Sequence, residues 1–368
     1  MLRSWKGPVL VLVLLLAVAA MVAGCGRQSS LVTAPLTDSG ATGFTLMSSD
    51  PVVQAAMRVQ EAHTPRLLGT SGIVGTAVTA DAHGKPAILV LTETRLGERL
   101  PATLDGYSVV EEVTGKIVAL SGTSTVSHTA LQTPPIQLGT SGGSVTDFAN
   151  NYCCSGTLGS LVQKSGVQYI LSNSHVFAGD VVLGGNNKVA ALGDDIMQPG
   201  YIDVNCSTVG VNFVADVSSL STLYPPTSTP NVDCAIAQVR SGMVRTDGAI
   251  LEIGTLSATT LVAYVGLPVK KSGRTTGLTR GTVSGINATV NVSYSTECGG
   301  TTFTKTFTGQ VLVSGRFIKA GDSGSLMVED VLVNPRAVGL LFAGGGATAV
   351  ANPINDVLTH LGATMVGQ

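Results

Sequence analysis

Hydrophobic and polar positions along the chain fall into distinct textures. From Val9 to Ala23 every residue is apolar, a run of fifteen. From Arg27 to about Ser49 the chain turns polar and rich in Ser and Thr, suiting a tether. Asp50-Pro51 then predicts a helix start, with Asp50 as N-cap and Pro51 in the first turn, and the helix is expected to end before Pro65. Gly72 to Thr79 and Pro86 to Thr92 read as strands separated by the Asp-Ala-His-Gly turn at 81–84. Tyr107 to Val113 and Lys116 to Leu120 read as a further strand pair about Thr114-Gly115. Residues 50–121 are thus expected to form a small α+β unit, followed by a linker over 122–138 that contains Pro134-Pro135.

Beyond 138 short apolar runs recur between Gly, Asn, Asp and Pro. They include Tyr169 to Ser172, Ala235 to Val239, Thr282 to Ile286, Val311 to Val313, Leu326 to Val328 and Val338 to Phe342. Only Pro353 to Leu361 carries a helical period. Many short strands and one terminal helix predict a mainly β sandwich or barrel architecture over 139–368.

Composition narrows the function. Charged residues are only 12% of the 368, and Lys+Arg 21 against Asp+Glu 23 leaves a net charge of −2. An electrostatic nucleic-acid binder needs a basic surplus or stripe, which this chain lacks. Apolar residues at 44% supply ample core material.

The apolar run from Val9 is shorter than the roughly 18 residues of a spanning helix, and Arg3 and Lys6 precede it, so residues 1–24 read as a signal peptide. Val22-Ala23-Gly24-Cys25 resembles the lipobox of bacterial lipoproteins, which implies lipidation at Cys25 and a membrane anchor without a transmembrane span. Gly26 rather than Asp after that cysteine implies sorting to an outer membrane, with 25–49 as the tether. Export permits disulfides among Cys153, Cys154, Cys206, Cys234 and Cys298, an odd set; one bridge from Cys153 or Cys154 to Cys206 is expected. Neither Cys-x-x-Cys nor His-Glu-x-x-His occurs, so no metal or other cofactor is expected.

Three strings carry chemistry: a strand running into Ser-Asn-Ser-His175, Asn231-Val-Asp233 leading a small apolar strand, and Ala320-Gly321-Asp322-Ser323-Gly324 in a glycine-rich turn. Singly each is an ordinary turn composition. Jointly they supply a nucleophile, a base to take its proton, and a carboxylate to orient that base. The amides of Gly321 and Ser323 are the expected oxyanion donors. The order His, Asp, Ser is that of the chymotrypsin template, and no Gly-x-Ser-x-Gly elbow competes.

Residues 139–368 resemble chymotrypsin-fold serine proteases, nearest the bacterial streptogrisin and α-lytic protease branch. The most specific string is Lys271-Ser-Gly-Arg-Thr-Thr-Gly277 with Gly281-Thr282 following, similar to that branch's Arg-Ser-Gly-x-Thr-Thr-Gly…Gly-Thr. The resemblance implies two antiparallel β-barrels with a C-terminal helix and the catalytic residues His175, Asp233 and Ser323 between them. It also implies that Lys271 stands where an internal arginine pairs with the acid before the serine, here Asp322. Phe317 takes the place of the acid that trypsin-like enzymes use for basic residues, which implies an uncharged specificity residue. Phe342-Ala343-Gly344 resembles the Ser-Trp-Gly strand that pairs with substrate backbone. The chain departs from the pattern in lacking a cysteine after His175 and in having Ser325 for a glycine; neither change removes a catalytic group.

Three functions follow as expectations: a lipid-anchored serine endopeptidase acting on polypeptides in the cell envelope or outside it, a catalytically idle surface-binding protein of the same fold, and a protease acting only on its own N-terminal region. For residues 50–121 the resemblance leaves a pro-region and a permanent accessory domain both open.

Overall fold

Helix α1 (Pro51–Leu68) buries Val53, Ala56, Gln60, Thr64 and Leu67, one stripe at steps of three and four. It runs through Pro65 instead of stopping before it. The carbonyl that Pro65 leaves without a donor belongs to Glu61, which is exposed to water, and one more turn follows before Gly69 N–H caps the Pro65 carbonyl. Asp50 occupies the N-cap position, but its carboxylate accepts from Met47 N–H outside the helix. The computed structural model describes residues 45–119, 128–149, 152–179, 189–294 and 302–368. The signal peptide, Cys25, the tether up to 44, Leu120, the first part of the expected linker and Cys298 lie outside them.

After α1 come β1 (Ile73–Ala80), β2 (Pro86–Thr92), β3 (Thr103–Leu104), β4 (Tyr107–Val113) and β5 (Val118–Ala119). β1 and β2 form a hairpin, and β4 joins β2 in parallel. The pair expected about Thr114-Gly115 does not form. Gly115, at φ +70°, turns the chain away from β4, and Ile117, 1% exposed, drops into a core with Tyr294, Phe303 and Phe342.

The first barrel uses β6 (Thr140–Ser144), β9 (Gly156–Leu158), β10 (Ser160–Lys164), β11 (Val167–Ser172), β12 (Asp195–Gln198), β13 (Asn212–Leu220) and β14 (Ala235–Val239), with a side hairpin of β7 (Phe148–Ala149) and β8 (Tyr152–Cys153). A one-turn helix, α2 (Ser174–Phe177), follows β11. Only Gly159 separates β9 from β10, and its N–H continues the ladder to Leu171 O, so the two act as one bent strand. The order β10-β11-β14-β13-β12-β6-β9 then closes six strands on themselves. Residues expected as linker are packed from His128 onward: Ile136 and Leu138 are fully buried in this barrel's core, because apolar side chains two apart on an extended segment share one face. Cys153 is bonded to Cys206.

The second barrel comprises β15 (Pro268–Gly273), β16 (Gly277–Tyr294), β17 (Phe303–Ser314), β18 (Leu326–Glu329), β19 (Ala337–Gly345) and β20 (Thr348–Pro353), closed by the β15–β16 pairing. Helix α3 (Ile354–Leu361) follows, ends at Gly362 with φ +61°, and leads to β21 (Thr364–Met365), which returns to β10 of the first barrel. The molecule is mainly β, with the chymotrypsin-like double-barrel fold. β16 and β17 outrun their barrel, and β1 pairs with the extension of β16 through Gly75↔Val290 and Thr76↔Thr289. Buried Gln60, Thr64 and Thr76 hydrogen-bond one another, and Asn287 of β16 donates to Gln60 at 3.0 Å, stitching α1 and β1 onto the hairpin. Gly43–Gln368 make one compact unit.

Candidate active site

The strand β11 ends at Ser172, and the α2 turn that follows presents His175. The Asp233 carboxylate lies beneath that turn, with its side chain fully buried. It accepts four hydrogen bonds: Ser174 N–H at 2.7 Å and His175 N–H at 3.2 Å on Oδ1, His175 Nδ1–H at 2.6 Å and Tyr294 O–H at 2.9 Å on Oδ2. A buried anion with no cation beside it is held by donors alone. Because Oδ2 can only accept, Nδ1 carries the proton and the lone pair of neutral His175 sits on Nε2. Nε2 is buried and has no hydrogen-bond partner among the described residues. The segment is fixed from both sides. Asn173 Nδ2 donates to Asp233 O at 2.7 Å, and Asp233 N–H donates to Asn352 of β20 at 2.9 Å, a bond between barrels.

Ser323 is 1% exposed and comes from the turn before β18. Gly321 and Gly324 on either side have φ +92° and +90°, a region costly for residues with a Cβ. The turn presses on the first barrel: Thr157 N–H donates to Ser323 O at 2.8 Å, and Thr157 Oγ1 to Gly321 O at 2.9 Å. A Cβ on Gly156 would stand 2.5 Å from the Val176 side chain and 3.0 Å from Ser323 O, so the residue after His175 and the serine converge over the same glycine. The Ser323 hydroxyl donates to Phe342 O at 3.4 Å.

Asp322 shapes the turn from inside. Its oxygens accept from Thr275 N–H (2.9 Å), Thr276 N–H (3.1 Å), Thr276 Oγ1 (2.6 Å) and Lys319 N–H (2.9 Å). Lys271 Nζ lies 3.3 Å from Asp322 Oδ2, both side chains fully buried. Burial lowers the pKa of that ammonium, and the Asp322 charge opposes the shift. Lys271 also donates to Thr276 Oγ1 and to Gly277 O.

Several positioning groups were not singled out from the sequence. Arg274, 1% exposed, grips Asp203 of the first barrel through Nε and Nη2 at 2.7 and 2.6 Å, and its N–H donates to Thr157 Oγ1 at 3.0 Å. An arginine inside an otherwise small and polar string was the available signal. Tyr294 had none, since its link to Asp233 exists only once the barrels meet; its ring also stands edge-on to His175, centroids 5.9 Å apart. In the Ser-Trp-Gly strand a hydroxyl occupies the place of Phe342; here Tyr294 brings a hydroxyl to the carboxylate instead.

Phe317 is buried in the second barrel's core with Val313, Met327 and Leu341. Phe342, Ala343 and Gly344 lie on β19, and that edge is occupied: β5 pairs with it antiparallel through Ala343↔Ala119 and Gly344↔Val118. The same strand runs parallel to β16 at Ser293↔Val118.

No family model matches the chain. Over 148 residues it is 32% identical to a curated protein, in a stretch covering 38% of this chain. That relative is streptogrisin-A of Streptomyces griseus. The match spans under half of the relative's length, 45%. Among solved structures, protease A of Thermobifida fusca aligns with 63% of this chain and 99% of its own at 20% identity and a TM-score of 0.41. A glutamic-acid-specific serine protease aligns with 62% of this chain and all of its own at 20% identity and a TM-score of 0.41. The double-barrel fold rests on the strand pairings described above.

Proposed function

We propose that the chain is an exported serine endopeptidase. The observation that carries the reading is the 2.6 Å bond from His175 Nδ1–H to Asp233, which leaves Nε2 as a buried base at the junction where the Ser323 turn meets the first barrel. The likeness to streptogrisin-A supports it. In this reading Ser323 Oγ attacks the carbonyl carbon of a polypeptide substrate as its proton passes to His175 Nε2, and Asp233 stabilises the imidazolium. The N–H groups of Gly321 and Ser323 receive the developing oxyanion. Collapse expels the amine, protonated by His175, and leaves an acyl-enzyme that water hydrolyses by the reverse roles. The steps call on no cofactor or metal. Phe342, Ala343 and Gly344 would bind the substrate backbone as an added strand, and Phe317 favours an uncharged specificity residue. The buried Lys271–Asp322 pair would set the oxyanion turn. Lipid at Cys25 would hold the protein in the cell envelope; nucleic acid is not a partner.

The idle-scaffold alternative is disfavoured because all three reacting groups and the oxyanion glycine are retained. Self-processing gains a specific observation: β5 of the chain's own N-terminal region lies along Ala343–Gly344, the edge a substrate strand would use. The full-length chain is thus read as latent, released by a cut between Ala119 and His128.

Expression of residues 27–368 followed by mass measurement and fluorophosphonate labelling tests both statements. Wild type should shorten and then carry one label on Ser323, while Ser323→Ala stays full length and His175→Ala takes no label. A folded chain beginning at residue 122 that takes no label would overturn the enzyme reading.

A further inference from the structure

The turn between β18 and β19 carries Val331-Leu332-Val333, and these three residues are 42, 90 and 76% exposed. Turns are ordinarily built from small and polar residues, and three successive exposed aliphatics mark a contact surface. The tip is not loosely held. Lys270 Nζ donates to Val331 O at 2.6 Å, and Asp330 N–H to Pro268 O at 3.0 Å. Arg336 holds Glu329 through Nε and Nη2 at 2.7 and 2.8 Å, and Asn334 donates to Gln368 at 3.1 Å. The fold therefore fixes a loop whose apolar side chains meet water.

The N-terminal end of the described chain docks on the same side. The segment 257–270 touches the loop at both ends: Ser257 N–H donates to Pro335 O and Leu261 N–H to Ala337 O, while Pro268 O accepts from Asp330. Between these points Val265 exchanges both main-chain hydrogen bonds with Leu46, at 3.2 and 3.1 Å. Val262 and Met47, on either side of that contact, are 57 and 44% exposed. Upstream of Leu46 lies Cys25, the lipidation position of the proposed function. A lipid there draws this face toward the bilayer before any other.

We propose that this face seats on a phospholipid bilayer, with Leu332 and its neighbours entering the boundary between headgroups and acyl chains. The base of the loop suits that surface. Lys270, Arg280 and Arg336 stand against Glu329 and Asp330, an excess of one cation, and the exposed stems of Arg280 and Arg336 can lie along lipid while their guanidinium groups reach phosphate. One acyl chain gives only marginal attachment, and a second, aliphatic contact adds to it while fixing orientation. The orientation argument rests on the lipid-anchor reading; the loop contact does not.

The test uses residues 27–368, which keep the whole compact unit and carry no lipid, with vesicles of phosphatidylethanolamine and phosphatidylglycerol. Flotation should recover wild type and Val209→Glu, which puts a charge on an exposed residue of another loop, and at least tenfold less of Leu332→Glu/Val333→Glu. A Leu332→Trp variant should shift its emission to the blue on the same vesicles, a readout that survives if the double variant folds poorly. No flotation of wild type, equal flotation of the double variant, or unshifted emission from Leu332→Trp would overturn the proposal. So would sedimentation velocity showing a wild-type dimer that the double variant loses, which would assign the face to a second copy. Palmitate incorporation at Cys25, measured separately on the full chain, reports on the anchor alone.

Discussion

Asp233 is fully buried, with two main-chain N–H groups of the α2 turn on one oxygen and two side chains, His175 and Tyr294, on the other. Only Tyr294 among these donors belongs to the other barrel. Burial, then the neighbouring Asp233 charge, raise the pKa of its phenol well above the ordinary value, so it stays a donor. Tyr294→Phe keeps the ring and deletes the hydrogen bond. We expect kcat/KM of the processed enzyme to fall about tenfold, equivalent to roughly 1.4 kcal/mol, mostly through kcat. Steady-state kinetics with one peptide substrate check this, and an unchanged kcat would mean that the remaining three donors suffice. The contrast between Tyr294 and the triad explains what could be read at this scale. His175, Asp233 and Ser323 each sit in a short local string whose composition differs from its surroundings. Tyr294 is one aromatic in a long strand, and its partner lies 61 positions away.

Strands and helices were legible where one stretch of chain decides its own conformation. β2 lies over the residues expected of it, and β1 is displaced by a single position at each end. Pairing was not legible, because alternation states which face is apolar and not which neighbour will cover it. Val118–Ala119 read as the partner of β4 and instead lies between β16 and β19. The loop from Thr92 to Gly97 shows how a single carboxylate can hold an element. Glu111 of β4 accepts from Leu96 N–H at 2.5 Å, Gly97 N–H at 3.1 Å and Thr92 Oγ1 at 3.1 Å. The bond from Leu96 is the largest cause of a Glu111 pKa below the ordinary glutamate value. A pKa depressed in the folded state gives stability that is present above about pH 4.3 and lost as pH falls through the lower folded value. Protection of the Leu96 and Gly97 amides from hydrogen exchange should therefore hold from pH 7 to about 5 and decline below about 4. Glu111→Gln should flatten that dependence; an unchanged profile in the variant would assign the acid response elsewhere.

Across the whole molecule, the strand-rich texture after residue 138 gave the barrels their class, and the spacing of the three motifs divided them correctly between first and second barrel. The boundary before them was misplaced. Pro134-Pro135 and the Ser/Thr-rich stretch look like linker, yet Ile136 and Leu138 are core residues and His128 is 5% exposed, bonded to Glu252 at 2.7 Å. Polar composition conceals a packed segment when only every second side chain points inward. Long-range cross-links behave similarly, since the choice between Cys153 and Cys154 depends on which side chain faces the short turn carrying Cys206. The bond from Cys153 closes a separation of 53 residues. Chain-entropy arguments for a loop of that length give about 4 kcal/mol, with engineered and native cases often nearer 2. Cys206→Ser should lower unfolding free energy by roughly 2–4 kcal/mol in denaturant titration. A change under about 1 kcal/mol would mean that the β7–β8 hairpin is held by packing alone.

The extension of β16 carries a consequence for the life of the protein after processing. While the N-terminal segment is in place, β1 satisfies the outer row of amides and carbonyls from Ile286 to Val290. Departure of that segment would uncover the row together with apolar Ala288 and Val290, both fully buried at present. A bare sheet edge of this kind is a template for any extended chain, including the same segment of a neighbouring molecule. The event that opens the catalytic cleft would then also make the enzyme adhesive, and crowded molecules on one membrane would be prone to exchange strands with each other.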